Sequence, residues 1–201
     1  MSSYLIWLVV GYLLGSIPTG YVLCGLLFRK DIRSSGSGNI GATNVYRTFG
    51  LIPGLVVLVL DIGKGWLPVW LARQTGSFSS PVLISLGLAT VIGHTFPIWL
   101  RGHGGKGVAT SFGVMLGLFP WPAVSCFLLW LLVLLLTRYV SAASIAGAVV
   151  LAPLIYHFQH DWTLTGCGLL VTILILWRHR ENIKRLLAGT ENRFIFPWER
   201  R

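Results

Sequence analysis

Long uncharged stretches alternate with short polar segments along the whole chain. No charged residue occurs in three stretches, which cover residues 4–28, 81–100 and 108–137. Apolar runs of about 20 residues predict membrane-spanning helices, because the lipid interior offers backbone polar groups no hydrogen-bond partner outside the helix. The first stretch is expected to be retained, since neither a preceding basic segment nor a small-residue cleavage site accompanies it. The pattern predicts seven spans, near residues 4–28, 51–72, 81–100, 107–119, 121–137, 139–157 and 162–177.

The fourth and fifth spans form one uncharged run, divided by Pro120-Trp121-Pro122. Each half is short for a bilayer core of about 30 Å, so the distribution of basic residues decides the count. With seven spans and the N-terminus outside, every lysine and arginine except Lys64 and Arg73 lies in a cytoplasmic loop or in the tail over residues 178–201. Merging the two halves would place Arg138 and the tail outside. We therefore expect an all-α membrane protein with a cytoplasmic C-terminus, whose short fourth span begins within the membrane boundary from a loop folded into the protein.

Composition supports a single membrane domain over residues 1–201. The chain is 54% hydrophobic and 11% charged, whereas soluble domains carry roughly 25% charged residues. The net charge of +10 would suit nucleic acid, but the basic residues stand in short blocks between apolar runs. The expected partners are therefore membrane lipids or phosphorylated substrates, and not nucleic acid. No metal site, cofactor or disulfide is expected, because the three cysteines show no paired spacing: Cys24, Cys126 and Cys167.

The first inner loop, residues 34–44, is rich in glycine and short polar side chains. Its glycines permit positive φ angles and close backbone approach, and successive amides in such a turn can form an anion-binding nest. Arg47 follows with a forked, permanent charge suited to phosphate. The loop contains no acid, which favours phosphate binding over the alternative of a flexible polar linker. The residues concerned are Gly36, Ser37, Gly38, Asn39, Gly41, Thr43 and Asn44.

The second inner loop, Arg101-Gly-His-Gly-Gly-Lys-Gly107, runs directly into an apolar stretch. Its spacing excludes the phosphate loop of nucleotide enzymes, because Leu100 stands six residues before Lys106 and Gly107 stands where Ser or Thr is needed. No nucleotide is therefore expected. Capture of an anion at a helix N-terminus remains, with Lys106 as a point charge. The alternative is an ordinary basic inner loop.

A third polar segment, residues 178–185, follows the last span. If the helix continues, His179 and Asn182 share a face, and Glu181 is spaced to pair with Arg185. The alternative is a basic flank that ends the span.

Ionisable residues also occur inside the predicted spans. Asp61 and Lys64 lie three residues apart in the second span, and such residues are functional candidates by default because burying them in a membrane is costly. A self-neutralising pair explains them as well as a pair that reaches toward the loops. His94, in the third span, is either a hydrogen-bonded core histidine or a ligand.

The polar segments resemble the three motifs of bacterial membrane-bound acyl-phosphate:glycerol-3-phosphate acyltransferases, and the resemblance covers essentially the whole chain. Residues 36–44 with Arg47 resemble the first motif, and residues 93–97 followed by 104–110 resemble the second. Arg178-His179 with Asn182-Ile183 and Arg185 resemble the third. One departure is that Arg101-Gly102-His103 stands where the family commonly has Gly-Phe-Lys.

The resemblance implies transfer of a fatty acyl group from acyl phosphate to the 1-hydroxyl of glycerol 3-phosphate, which yields lysophosphatidate and inorganic phosphate as the first step of phospholipid synthesis. It also implies seven spans in the inner membrane of a bacterium, with the site facing the cytoplasm. A transporter of phosphorylated anions is the main alternative; it would predict polar groups near mid-membrane and an internal repeat, and the sequence shows no repeat.

None of the three aspartates has a histidine five residues earlier, so the His-x-x-x-x-Asp general base of another acyltransferase class is absent. Acyl phosphate has a good leaving group, and positioning alone lowers such barriers by roughly 7–11 kcal/mol. We expect glycerol 3-phosphate to be held by Ser37, Arg47, Lys106, His179 and Asn182. We expect the acyl-phosphate head at Gly38, Asn39, Gly41, Thr43, Asn44, Gly104 and Gly105. The candidate catalytic residues are His179, Asn182 and Lys106, and the proton acceptor is either His179 or a substrate phosphate oxygen.

Overall fold

The computed structural model describes residues 2–76 and 78–199, so Arg200 and Arg201 of the predicted tail lie outside the described residues. The described chain contains helices, turns and loops, and none of it forms a β-strand. Three 3₁₀ turns cover Ile32–Ser34, Ile98–Leu100 and Pro197–Glu199. The α-helices of the described part are α1 (Ser2–Ser16), α2 (Thr19–Phe28), α3 (Ala42–Phe49), α4 (Leu51–Gln74), α5 (Ser80–Thr95), α6 (Val108–Leu118), α7 (Pro120–Thr137), α8 (Val140–Gln159), α9 (Trp162–Arg178) and α10 (Arg180–Leu187).

The apolar helices coincide with the predicted runs, whereas α3 and α10 lie in the predicted first loop and tail. These helices do not by themselves establish seven spans. In the described part, four are long and apolar enough to cross a membrane, or up to six if each of two bent pairs counts as one span. The predicted first span is one such pair, since α1 and α2 meet at a bend of 41°. Helix α6 has only 11 residues, so it rises about 16 Å and covers about half of a bilayer core.

Pro18 explains the bend in the first span. It has no N–H to continue the hydrogen bonding of α1, and the chain restarts as a helix at Thr19. The break leaves the carbonyl of Ile17 without the usual helical partner four residues later. Its oxygen accepts from the Thr19 N–H at 3.0 Å and from the Lys64 ammonium at 2.7 Å.

The chain divides into two compact units, one ending at Leu118 and the other beginning at Phe119. In the first unit, α1 packs against α5 and α4 packs against α6 through glycine. A Cβ atom on Gly15 would overlap the Thr90 carbonyl oxygen, and one on Gly65 would overlap the Thr110 carbonyl oxygen. Small residues therefore let these helix backbones approach closely, as is typical of membrane helices.

A small apolar core anchors the first loop to this unit. The buried side chains of Ile32 and Ile40, from either end of the loop, pack with Val45 of α3 and with Val57 of α4. Because these side chains are removed from solvent at both ends of the loop, its glycine-rich middle is tethered and is not a flexible linker.

The second unit contains α7 to α10 and the tail, with α8 packed against both α7 and α9. The Thr172 hydroxyl of α9 donates to the Ala148 carbonyl of α8 at 2.7 Å. The tail returns to the turn between α7 and α8, where the Phe194 N–H donates to the Arg138 carbonyl at 2.6 Å. Arg138 also pairs with Glu199 at 2.9 Å, so the tail is bound to the unit along its described length.

Candidate active site

The first loop is organised by the amide of Asn44, which is only 2% exposed. Its Nδ2 donates to the backbone carbonyls of Ile32, Ser35 and Asn39 at 3.2, 3.0 and 2.8 Å. Its Oδ1 accepts the backbone N–H of Ser37 at 2.8 Å. The sequence places Asn44 among the acyl-phosphate contacts, whereas the structure commits both ends of its side chain to the loop.

Glycine is required at two positions around this amide. Gly36 and Gly38 have φ angles of +57° and +71°, which L-residues with side chains rarely adopt. A Cβ atom on Gly36 would also overlap Asn44 Oδ1. The Gly41 N–H is held by Asn39 Oδ1 at 2.9 Å, so Asn39, like Asn44, supports the loop through its side chain.

Three predicted contacts of this loop remain at or near its surface. Ser37 lies on the exposed tip, and Thr43 and Arg47 are half-buried on α3. Residues four apart on a helix lie on the same face, so Thr43 and Arg47 are neighbours on α3. The N-terminus of α3 has no side-chain cap, which leaves part of its first turn open to an acceptor.

The second loop folds back onto the end of α5. The Gly104 N–H donates to the Thr95 carbonyl at 3.2 Å, and the Gly105 N–H donates to the His94 carbonyl at 3.1 Å. These carbonyls belong to the last turn of α5, where helical partners are missing. Gly104 and Gly105 are buried and Lys106 is half-buried. The loop is therefore folded into the unit, as expected, but the amides of its two predicted glycine contacts are used within the chain.

The position that departs from the resembled family lies at the turn of the same loop. Arg101 has a left-handed conformation with φ +51°, and both Arg101 and His103 are exposed. Within residues 2–76 and 78–199, neither side chain makes a hydrogen bond or ion pair that would support a role at a buried site.

A buried polar cluster lies beneath the second loop. Lys64 Nζ is 2.8 Å from Asp61 Oδ1, with the two side chains 7% and 2% exposed. The Thr19 hydroxyl donates to the same carboxylate oxygen at 2.5 Å, and His94 Nδ1 faces it at 3.6 Å. Of the two interpretations left open for Asp61 and Lys64, the contact between them favours the self-neutralising pair, and His94 is a buried residue, 5% exposed.

The second unit contains the third motif. His179 is buried, and its Nδ1 lies 2.8 Å from the Ile175 carbonyl. A carbonyl can only accept, so Nδ1 carries the proton and Nε2 is the acceptor of the neutral ring. Asn182 is also buried, and its Nδ2 donates to Glu191 Oε1 at 2.8 Å.

The sequence interpretation missed Glu191, which is the hydrogen-bond partner of Asn182 in this part of the chain. Its carboxylate accepts from Ser141 at 3.0 Å, from Asn182, and from Arg185 at 2.7 Å. The expected pair of Glu181 with Arg185 is therefore wrong: Glu181 pairs with Lys184 at 3.3 Å. The only signal for Glu191 in the sequence was an acidic residue within a largely basic tail. The spacing rule for helices favoured Glu181 as the partner of Arg185, because that rule compares only residues of the same helix.

The electrostatics of Glu191 follow from these bonds. Burial by itself raises the pKa of the carboxyl group, but the hydrogen bonds from Asn182, Arg185 and Ser141 and the charge of Arg185 outweigh it, so the pKa lies below its ordinary value of 4.5. The charged form is therefore the one that the fold favours.

A family model described as glycerol-3-phosphate acyltransferase matches residues 5–189. The glycerol-3-phosphate acyltransferase 2 of Moorella thermoacetica is 47% identical, covering 94% of this chain and 97% of its own length. The glycerol-3-phosphate acyltransferase of Geobacter sulfurreducens is 43% identical, covering 96% and 99%.

Two solved structures are also similar. The glycerol 3-phosphate form of PlsY, an integral membrane glycerol 3-phosphate acyltransferase, superposes with a TM-score of 0.91 at 41% identity over 96% of each chain. Its lysophosphatidic acid form gives a TM-score of 0.88 at 40% identity, over 98% of this chain and 97% of that one. The chain belongs to the glycerol-3-phosphate acyltransferase family, and it is an integral membrane acyltransferase. These relatives support the acyltransferase and not the transporter of phosphorylated anions.

The variant Asn44→Asp tests the organisation of the first loop. It replaces a donor by a carboxylate oxygen that faces three carbonyls, so we expect a loss of unfolding free energy on the order of 3 kcal/mol. Thermal unfolding in detergent and proteolytic cleavage within residues 34–41 measure the effect. The control is Asn39→Asp, which keeps the oxygen that accepts from Gly41; equal stability of the two variants would contradict the assignment.

The variant Glu191→Gln tests the carboxylate of the second unit by its pH dependence. Because folding lowers the pKa of Glu191, its stabilisation is fully present above pH 4.5, the unperturbed value, and is lost as the pH falls through the folded-state pKa. The melting temperature of the variant should therefore lie below wild type at pH 7, and the gap should close in acid. Glu181→Gln, at an exposed carboxylate, is the control; a gap independent of pH would refute the assignment.

Proposed function

We propose that this member of the glycerol-3-phosphate acyltransferase family takes its acyl group from acyl phosphate and transfers it to the 1-hydroxyl of glycerol 3-phosphate. Two half-buried cations, Arg47 and Lys106, carry the proposal. Each follows a glycine-rich turn whose backbone groups are hydrogen-bonded within the chain. The similar solved protein was crystallised in a glycerol 3-phosphate form and in a lysophosphatidic acid form, which are an acceptor and a product of such a reaction.

Charge balance supports two phosphorylated substrates. A singly substituted phosphate carries a charge of about −1.5 to −2 at pH 7, so the two substrates together bring roughly three to four negative charges. Arg47 offers a planar fork for two phosphate oxygens, and Lys106 offers a compact point charge. Lys64 does not take part, because Asp61 already neutralises it.

The neighbouring residues of these loops divide into contacts and supports. Ser37 and Thr43 offer hydroxyl donors near the surface of the first loop, and we assign them to substrate. Asn44, Asn39 and the glycines act instead by holding the turns. This differs from the expectation that the Gly104–Gly105 amides bind the acyl-phosphate head, since those amides donate to α5. The glycines would serve the acyl phosphate by leaving room for it.

The chemical step needs one proton acceptor. The hydroxyl oxygen of glycerol 3-phosphate attacks the acyl carbonyl, the bond to the phosphate oxygen breaks, and phosphate leaves with the electron pair. The hydroxyl proton goes either to Nε2 of His179 or to a phosphate oxygen of a substrate. The bond between His179 Nδ1 and the Ile175 carbonyl supports the first route, because it leaves Nε2 as the acceptor. The involvement of Asn182 with substrate stays a prediction.

We further propose seven spans with the N-terminus outside, in which α6 is a short fourth span. The support is the placement of nearly all basic residues on the cytoplasmic side that this count gives. The separation of α6 from α7 at Phe119 agrees with two spans and not one. The active site would then face the cytoplasm of a bacterial inner membrane.

Cysteine labelling in intact cells tests the topology. In a background with the three native cysteines replaced by serine, Gln159→Cys should react with an impermeant maleimide, and Lys184→Cys should react only after the cells are opened. Merging α6 and α7 into one span reverses both results. Gln74→Cys is the control, since it is outside under either count.

The proposed reaction is tested with purified protein in detergent. Release of phosphate from acyl phosphate should require glycerol 3-phosphate and should match the lysophosphatidate formed. Arg47→Ala and Lys106→Ala should each lower kcat/KM by about 10- to 100-fold, since a hydrogen bond to a charged group is worth about 1.5–3 kcal/mol. Equal turnover with acyl-CoA of the same chain length would overturn the assignment of the donor.

Two further variants calibrate this assay. Arg33→Ala removes a cation just before the first loop whose guanidinium is already paired with Asp31 at 2.6 Å, so kcat/KM should change less than about twofold. His179→Ala should lose turnover at saturating substrate if its Nε2 accepts the proton. Retention of most of that turnover would assign the proton to a substrate phosphate oxygen.

A further inference from the structure

We propose that His94 is a positioning residue for the reaction, whose imidazole fixes the Gly104–Gly105 turn and thereby the place of Lys106. The inference rests on the proposed role of Lys106 as a contact of a substrate phosphate. His94 belongs to the buried cluster below the second loop, and the two edges of its imidazole contact Asp61 and Gly105.

The first edge of the ring faces an immobilised carboxylate. Asp61 Oδ1 accepts from the Thr19 hydroxyl at 2.5 Å and lies 2.8 Å from the Lys64 ammonium. Lys64 is itself bound to the Ile17 carbonyl at the break in the first span. The break in the first span and helix α4 therefore together fix the carboxylate that His94 Nδ1 faces at 3.6 Å, and an ionised group with several partners is costly to move.

The opposite edge of the ring meets the second loop. A Cβ atom placed on Gly105 would overlap Nε2 of His94, so the imidazole lies directly against the Gly105 backbone. The same histidine holds Gly105 through the main chain, since its carbonyl accepts the Gly105 N–H at 3.1 Å. The imidazole ring thus packs against the turn and limits its position.

The two glycines of the turn are excluded from carrying side chains for different reasons. Gly105 does not have a left-handed φ, and the nearest atoms to its added Cβ all belong to the imidazole of His94. At Gly104 the added Cβ would meet the carbonyl oxygens of His94 and Thr95 and the ring of Pro97. Shortening the side chain of residue 94 therefore makes room at Gly105 but makes none at Gly104.

Lys106 is the next residue along the chain from Gly105. Any shift of the turn is passed directly to its Cα, and a displacement of about 1 Å at a positioned group can cost on the order of 100-fold in rate. A change confined to the ring of His94 should therefore alter substrate binding and turnover without removing any charge from the site.

The test combines substitutions at His94 and Gly105. His94→Asn retains an amide on the side of the ring that faces Asp61 and removes the Nε2 edge. Gly105→Ala alone should lower kcat/KM by about 10- to 100-fold through overpacking. The double variant His94→Asn with Gly105→Ala should recover activity to within about threefold of His94→Asn alone.

Gly104→Ala is the matched control. It should be equally damaging, and His94→Asn should not restore it, because its clash is with backbone carbonyls and the ring of Pro97 and not with the imidazole. A rescue of both glycine variants, or of neither, would overturn the proposal, as would full activity of Gly105→Ala.

KM and kcat separate positioning from mere packing. His94→Asn should raise the KM for glycerol 3-phosphate by about tenfold while its melting temperature stays within a few degrees of wild type. A fall in melting temperature with unchanged KM would show a structural role only and would overturn the proposal.

The melting temperature gives a second measure of the contact between His94 and Gly105. His94→Asn should also restore the melting temperature that Gly105→Ala lowers, and this rescue does not depend on substrate. If that rescue occurs but Lys106→Ala keeps full activity, the proposed function of Lys106 fails while the contact with His94 stands.

Discussion

The ion pair of Lys64 with Asp61 is the interaction on which the first unit depends. An unpaired charge inside a membrane protein is very costly, and removing one partner of a buried pair typically costs about 3–5 kcal/mol. Here the pair also satisfies the Ile17 carbonyl, which the break at Pro18 leaves without a helical partner. One ammonium group therefore allows the first span to bend and at the same time holds α4 in register with it.

The two glycine-rich loops follow the same physical rule. In each, amide groups bind carbonyls of the surrounding chain. The side-chain amide of Asn44 donates to three carbonyls in and beside the first loop, and the backbone amides of Gly104 and Gly105 donate to carbonyls of α5. Loops whose amide and carbonyl groups are hydrogen-bonded within the chain are held in place before substrate arrives. Rigid loops carry their cations, Arg47 and Lys106, at fixed positions, and fixed charges stabilise a developing transition state without reorganisation.

Glu191 plays a corresponding part in the second unit. It binds Asn182, Arg185 and Ser141 together, so it holds the start of α8, helix α10 and the tail around one carboxylate. The bond from His179 to Ile175 sets the tautomer of the histidine. The third motif is thus held together by Glu191, which is not part of the motif. The charge of Arg185 is paired with this carboxylate.

The sequence by itself determined the apolar runs that form the long helices, the break next to Pro120, the shortness of α6 and the identity of the three polar segments. These features depend on local composition, on proline and on charge, and each is readable within one stretch of chain. Only the tertiary structure decided that Asn44 and Asn39 hold the loop, that Arg185 turns to Glu191 and away from Glu181, and that His94 separates Asp61 from Gly105. Which donor meets which acceptor depends on the burial and proximity of residues far apart in the chain. No spacing rule contains that information, because a hydrogen bond is chosen by distance in space and not along the sequence.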